Sequence, residues 1–252
     1  MIIKSILSDI IKINPFYLMT ENKINISVIL PTYNEAENII PLITEIRRKL
    51  KDYKFEIIVI DDDSPDKTGY IAKNKFINNK NIKVYIRKEK GLASAILYGI
   101  RQGRGKCLCV MDTDFNHDPK ELPKMYSLVK RFDLIVGSRY VAGGGMENPI
   151  RNYFSLIYNR IIQFILKLPT RDNLSGFFLI KREKLKNLLT PEIFTGYGDY
   201  FIRFLFTANK KGLKIREIPV FYKNRIYGES KSQLFKMLSD YSKTVIEIKR
   251  KS

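Results

Sequence analysis

The first 140 residues alternate short, β-branched apolar runs with helical patterns, and two of those runs end in clustered carboxylates. Ile24 to Leu30 (INISVIL) is stopped by Pro31, and Phe55 to Ile60 (FEIIVI) runs into Asp61, Asp62 and Asp63. Ile82 to Arg87, Lys106 to Asp112 (KCLCVMD) and Phe132 to Ser138 complete the set. Helices are expected from about Glu35 to Lys51, Lys67 to Ile77 and Gly91 to Gly103, with another before Phe132. Strands apolar on both faces and separated by helices predict a parallel sheet covered on both sides. The acidic clusters then fall at carboxyl ends of strands, the edge where open α/β sheets bind ligands.

The second half is less regular. A glycine loop (Gly143 to Gly145) precedes an apolar helix from about Arg151 to Leu168, a short strand SGFFLIK, further helices and LKIREIPVFYK. Leu234, Leu238, Tyr241, Val245 and Ile248 form one stripe of an amphipathic helix that ends in KRK. Neither a repeat nor a low-complexity linker interrupts the chain. The expected organisation is an amphipathic segment over 1–23, one α/β domain over 24–231 and a basic amphipathic helix over 232–252. The most apolar stretch, Tyr153 to Leu168, is broken by Asn159, Arg160 and Gln163, so no membrane span is expected. The N-terminal stretch carries Asp9 and lacks a cleavage pattern, which argues against a signal peptide. Cys107 and Cys109 alternate on one strand and are read as reduced, buried thiols of a cytosolic protein.

With 45 Lys plus Arg against 26 Asp plus Glu, the chain carries a formal charge of +19. That surplus implies an anionic partner: nucleic acid, an acidic membrane surface or a phosphorylated small substrate. Against this background the acidic strand ends stand out. In extended backbone Asp112 and Asp114 point the same way, and two carboxylates about 5 Å apart repel by roughly 3 kcal/mol at an effective dielectric near 20. A shared proton, water or a cation must relieve that cost. An incomplete, oxygen-only donor set suits Mg²⁺ or Mn²⁺, which take remaining ligands from water and phosphate. The competing reading is that one Asp caps the helix entered near Pro119 and the other is solvated. In IDDDSPDKT (Ile60 to Thr68), Asp62 is placed to accept from a base or ribose, while Ser64 and Asp66 arrange the turn. His117, the only histidine, is read as structuring its loop.

PTYNEAENI (Pro31 to Ile39), DDDSPDKT, GLASAILYG, MDTDFNHDP, GSRY, SGF and RIYGESK occur in that order. Together they resemble the inverting, GT-A-fold family 2 glycosyltransferases, and among these are most similar to dolichol-phosphate mannosyltransferases. The likeness runs from about Ile24 to Lys231. It implies a GT-A, Rossmann-like α/β fold, with Pro31, Tyr33, Glu35 and Ile60 lining the nucleotide pocket and Asp62 on the base. It also implies Asp112 and Asp114 as the metal-binding pair, with Thr113 between them and Asn116 beside them. Arg139 and Arg151 would meet phosphates, and Arg225 and Lys231 would close over the diphosphate. Asp199 matches the place of a base in relatives with hydroxyl acceptors, and is otherwise a positioning group or helix cap.

The implied reaction is inverting transfer of mannose from GDP-mannose to a polyprenyl (dolichyl-type) phosphate. Negative charge on the departing nucleotide calls for a divalent cation and basic side chains, while the sugar passes through an oxocarbenium-like state. Transfer from UDP-glucose or a UDP-N-acetylhexosamine to another lipid phosphate or glycan is the alternative. Nucleic acid binding is disfavoured: the aromatics are not interleaved with basic residues, and acidic strand ends repel phosphate unless metal-loaded. The charge surplus then fits a peripheral enzyme on the cytoplasmic face of a membrane, with or without a separate membrane-anchoring subunit. Three stretches are candidate membrane contacts: Ile2, Ile3, Ile6, Leu7 and Ile10, the Tyr153 to Leu168 helix, and the C-terminal helix. The middle one is expected to be buried instead.

Overall fold

The computed structural model describes residues 24–186, 188–223 and 234–251. Seven strands form one sheet: β1 (Ile26–Thr32), β2 (Phe55–Asp61), β3 (Ile82–Ile86), β4 (Cys107–Val110), β5 (Leu134–Ser138), β7 (Phe178–Lys181) and β8 (Ile215–Pro219). Their order is β3-β2-β1-β4-β7-β5-β8. All neighbours run parallel except β7, which is antiparallel to both β4 and β5. A two-stranded ribbon pairs β6 (Gly145–Met146) with β9 (Phe221–Tyr222). The helices are α1 (Ala36–Lys49), α2 (Thr68–Lys75), α3 (Leu92–Gln102), α4 (Leu122–Leu128), α5 (Pro149–Leu166), α6 (Tyr200–Lys210) and α7 (Leu234–Lys251).

Both sheet faces are covered, which is why the strands read as unbroken apolar runs. Ile26, Val28 and Leu30 of β1 join a cluster with α1 and α4, whereas Ile29 joins α3 and α6 on the opposite face. Cys107 and Cys109 share the first cluster, as their alternation requires. Gly99 lets α3 lie directly on β1, because a β-carbon there would come within 2.5 Å of Ile29.

Strand β1 does not stop at Pro31; it continues to Thr32 in register with β2. The Met111 N–H donates to the Ile29 carbonyl, so the backbone polar groups of alternate residues, Pro31 included, face the β4 side. The β1–β4 register ends at Ile29 and Val110, so the missing N–H costs no ladder bond.

Helix α5 corrects a second expectation. It buries Asn159, Ile162 and Leu166 and packs on α6 and α7 through Ile202, Tyr241 and Val245. Its other side is open: Phe164 is 85% exposed, Ile150 71% and Phe154 66%, with Tyr153, Ile157 and Ile161 alongside. The polar interruptions Asn159 and Arg160 divide between the faces. Asn159 is buried and accepts the Asn173 N–H at 2.6 Å, whereas Arg160 is exposed. Apolar content alone could not tell which face had a partner. Among the described residues no helix is long and apolar enough to cross a membrane. The N-terminal stripe lies outside the described residues.

Candidate active site

The loops after β1 and β2 are tied into one unit. Ser64, Asp66 and Thr68 accept, respectively, from the Asn34, Ala36 and Glu35 N–H groups at 2.8 to 3.0 Å. The turn residues of DDDSPDKT therefore satisfy the open N-terminus of α1 as well as shaping their own turn. Asp61 is fully buried and accepts from the Ser64 N–H and hydroxyl and from the Thr32 hydroxyl. Gly69 is required beneath it, since a β-carbon would come within 2.7 Å of its carboxylate.

Asp62 takes a different partner set. It accepts from Arg87 Nε at 2.6 Å and from the Gly91 N–H at 2.8 Å. Arg87 in turn reaches the Gly91 carbonyl and the Ser94 hydroxyl. Lys90 lies over the Tyr33 ring at 5.1 Å and within 3.3 Å of its hydroxyl. Tyr33 is partly exposed, while Pro31 is buried. The Glu35 carboxylate accepts from Asn38 Nδ2 at 2.7 Å. Ile60 corrects its expected place in the pocket lining: its side chain is fully buried with Ile58 and Ala95 in the core.

The β4 ladder ends at Val110, so strand alternation no longer governs Asp112 and Asp114. The Asp112 side chain is 46% exposed, whereas Thr113 and Asp114 are buried. Asp114 accepts from the Asn116 N–H at 3.2 Å and from Asn116 Nδ2 at 2.8 Å. Phe115 between them adopts φ 62°, a left-handed conformation rarely taken by a bulky residue. Neither member of the pair caps the following turn; Asp118 does, accepting the Lys120 N–H at 2.9 Å.

His117 is fully buried and stacked on Phe177 with ring centroids 4.7 Å apart. Its Nδ1 accepts the Asp112 N–H at 2.7 Å, and its Nε2 lies 2.6 Å from the Tyr222 hydroxyl. Tyr222 donates to the Ser175 carbonyl at 3.0 Å. Burial pushes the Tyr222 hydroxyl far above its ordinary range despite the nearby Arg139 charge, so it remains a neutral donor.

Arg139 corrects the expected phosphate contact. Its guanidinium is buried and grips Asp172 through Nε and Nη2, each at 2.7 Å. Its own N–H donates to Asp172 at 3.0 Å, and it stacks against Tyr140 and Tyr222. Burial lowers its pKa, but Asp172 outweighs that effect and the net shift is upward. Asp199 is likewise committed. It is buried and accepts from the Tyr197 N–H at 2.8 Å, Arg203 at 2.6 Å and Thr244 at 3.0 Å, which ties the start of α6 to α7. Arg151 is exposed at the start of α5. Arg225 and Lys231 lie outside the described residues.

The sequence reading missed Arg87, Asp172, Ser175 and Tyr222 as site-building groups. A basic residue closing β3 was the one available signal; the others act across 33 to 105 residues of chain, with no local pattern to mark them.

A mostly parallel sheet that opens two acidic loops at the carboxyl ends of β2 and β4, on either side of β1, is a GT-A scaffold, and this one is a glycosyltransferase. The profile described as glycosyl transferase family 2 matches residues 27–189. A dolichol-phosphate mannosyltransferase of Pyrococcus furiosus is 38% identical over 82% of this chain; the matched region spans 58% of that relative's length. An undecaprenyl-phosphate mannosyltransferase of Micrococcus luteus is 32% identical over 81% of this chain and 85% of its own. Glucosyl-3-phosphoglycerate synthase of Mycobacterium tuberculosis, solved with Mn²⁺, UDP and glucosyl-3-phosphoglycerate, superposes with a TM-score of 0.68 at 19% identity. That superposition covers 89% of this chain and 79% of the other. The chain belongs to glycosyl transferase family 2.

Proposed function

We propose that the protein transfers mannose from GDP-mannose to a polyprenyl phosphate, with inversion and with Mg²⁺ or Mn²⁺, at the cytoplasmic surface of a membrane. The observation that carries this reading is identity of 38% and 32% with two relatives named for mannosyl transfer involving polyprenyl phosphates. The donor set fits a hard cation: two carboxylates and an amide, all oxygen ligands, one carboxylate half-exposed. Among the described residues no cluster of three or more His, Cys, Asp or Glu could hold a metal. Asp112 and Asp114 would hold the cation, with remaining ligands supplied by water and the substrate phosphates. When bound, it offsets the charge that builds on the departing nucleotide.

The chain's own groups do the rest. Asp62, fixed by Arg87 and the Gly91 N–H, and Tyr33, covered by Lys90, form the wall against which the nucleoside rests. Arg151, Arg225 and Lys231 supply positive charge toward the phosphates. An acceptor phosphate is already ionised near neutral pH, so alignment matters more than proton removal. That fits an Asp199 whose carboxylate is engaged by Arg203 and Thr244. Incubation with labelled GDP-mannose, Mn²⁺ and polyprenyl phosphate is expected to give organic-extractable label. Label from UDP-glucose or a UDP-N-acetylhexosamine but not from GDP-mannose reassigns the donor.

The open face of α5 supports a bilayer as the site of action. Large apolar side chains stand out on a protein of charge +19, the combination by which an amphipathic surface helix enters an anionic interface. Each Phe is worth about 1.5–3 kcal/mol when removed from water. The double variant Phe154→Ser, Phe164→Ser is thus expected to bind anionic liposomes at least about tenfold more weakly. It should keep wild-type turnover on a short, soluble prenyl phosphate. Unchanged flotation, or a shift in oligomeric state in place of lost flotation, contradicts membrane docking through this face.

A further inference from the structure

We propose that His117 is a positioning residue for Asp112 and Asp114, holding the cation-binding turn in shape through the Asp112 backbone; this rests on the metal-dependent reading above. The observations come from one connected set of contacts. His117 is the chain's only histidine and is fully buried. A backbone N–H donating to Nδ1 requires that nitrogen to be unprotonated, so the ring carries its hydrogen on Nε2. Nε2 lies 2.6 Å from the Tyr222 hydroxyl and 3.2 Å from the Ser175 carbonyl, and Tyr222 in turn lies 3.0 Å from both the carbonyl and the hydroxyl of Ser175. The ring is clamped in plane by Phe177. The ring is thus held from the Nε2 side by Tyr222 and Ser175, and on the Nδ1 side it accepts the N–H of Asp112.

That hydrogen bond falls where the backbone most needs it. The β4 register ends at Val110, the Met111 N–H still reaches the Ile29 carbonyl, and the next N–H along the chain is the one His117 holds. Two residues before His117, Phe115 occupies φ 62°, a conformation that persists only where surrounding contacts over-determine it. His117 spans this turn, from the buried floor on Phe177 back to its first residue. It is not itself a ligand: both ring nitrogens are engaged, and Asp112 Oδ2 stands 3.7 Å from Nε2. It acts through the carboxylates, as groups behind metal ligands commonly do.

The test separates the two nitrogens. In His117→Phe, stacking remains and both hydrogen bonds go. In His117→Asn the amide oxygen reaches the place of Nδ1, whereas in His117→Gln the amide nitrogen reaches the place of Nε2. Mn²⁺ binding is followed by electron paramagnetic resonance in the presence of GDP, alongside thermal melts and turnover at low and saturating Mn²⁺. His117→Phe is expected to raise the Mn²⁺ half-saturation about 10–100-fold, with much of the lost turnover recovered at saturating Mn²⁺. His117→Asn is expected to restore affinity to within about threefold of wild type and His117→Gln is not, since outer-shell contacts act through the bond they make.

Should His117→Phe bind Mn²⁺ like wild type, or His117→Asn prove as weak as His117→Phe, the proposal is overturned. If His117→Phe does not fold, His117→Gln decides, since it keeps the contact on the Nε2 side and loses the bond to the Asp112 N–H: a clear rise in half-saturation upholds the proposal, and none ends it. A wild-type protein that binds no Mn²⁺ with GDP overturns the metal-dependent reading itself, a different result from one in which only the variants are unaffected.

Discussion

Asp112→Asn is expected to lower kcat/KM by at least about 10³-fold while leaving the melting temperature unchanged or higher. The catalytic loss follows from charge. Departure of a nucleoside diphosphate builds negative charge that, on the proposed reading, a cation bound by the carboxylates would offset, and such electrostatic contributions are commonly worth about 10²–10³-fold or more. Losing one of two carboxylate ligands also weakens the hold on the cation, so both effects act on turnover. The stability argument runs the other way. Without a cation, Asp112 and Asp114 repel each other, and neutralising one relieves that cost. Asp112 is half-exposed, whereas Asp114 is buried and bonded to the Asn116 amide. Asp114→Asn should be equally inactive but less stable. It is buried, and an amide there would set its own N–H groups against the donors of Asn116. Steady-state kinetics and melts on the two variants check the pair of outcomes. Near-normal activity in either one contradicts a metal-holding role for it.

The fold was legible where one physical rule acted alone. Burial on both faces forces strands to be apolar at every position, and β1, β2 and β4 were readable for that reason. The direction of β7 was not: Phe178–Lys181 is an apolar run like the parallel strands, and its antiparallel pairing with β4 and β5 leaves no mark in composition. The site shows the same division. Residues that act within a few positions of one another, such as Asp61 with Ser64 or Asp114 with Asn116, could be anticipated as turn chemistry. Arg139 was expected to meet phosphate because GSRY matches a motif of the family the chain resembles. Its partner lies 33 residues further on, in a loop with no periodic signal. The open side of α5 was hidden for a related reason: an apolar helix declares that it needs a partner, not what that partner is.

Asp172→Ala is expected to destabilise the protein by about 3–5 kcal/mol, the cost of leaving a buried charge without its partner. At about 2–4 °C per kcal/mol for a domain of this size, the melting temperature falls by roughly 10 °C. Arg139→Ala should cost less, and the asymmetry is the informative part. When Asp172 is removed, the guanidinium stays buried between Tyr140 and Tyr222 with no anion. When the Arg139 side chain is removed, the carboxylate still accepts the backbone N–H groups of residues 139 and 174. Both changes reach the Asp112 turn by the same route, because Arg139 packs against Tyr222, Tyr222 meets His117 and His117 accepts the Asp112 N–H. Each variant should therefore need more Mn²⁺ for half-maximal turnover while its KM for GDP-mannose at saturating metal changes little. A direct phosphate role for Arg139 makes the opposite prediction. Arg139→Ala would then raise the donor KM steeply, and Asp172→Asn, which loosens the guanidinium, would not. Chemical denaturation of the single and double variants, with donor KM measured at two Mn²⁺ concentrations, separates a positioning ion pair from a phosphate ligand.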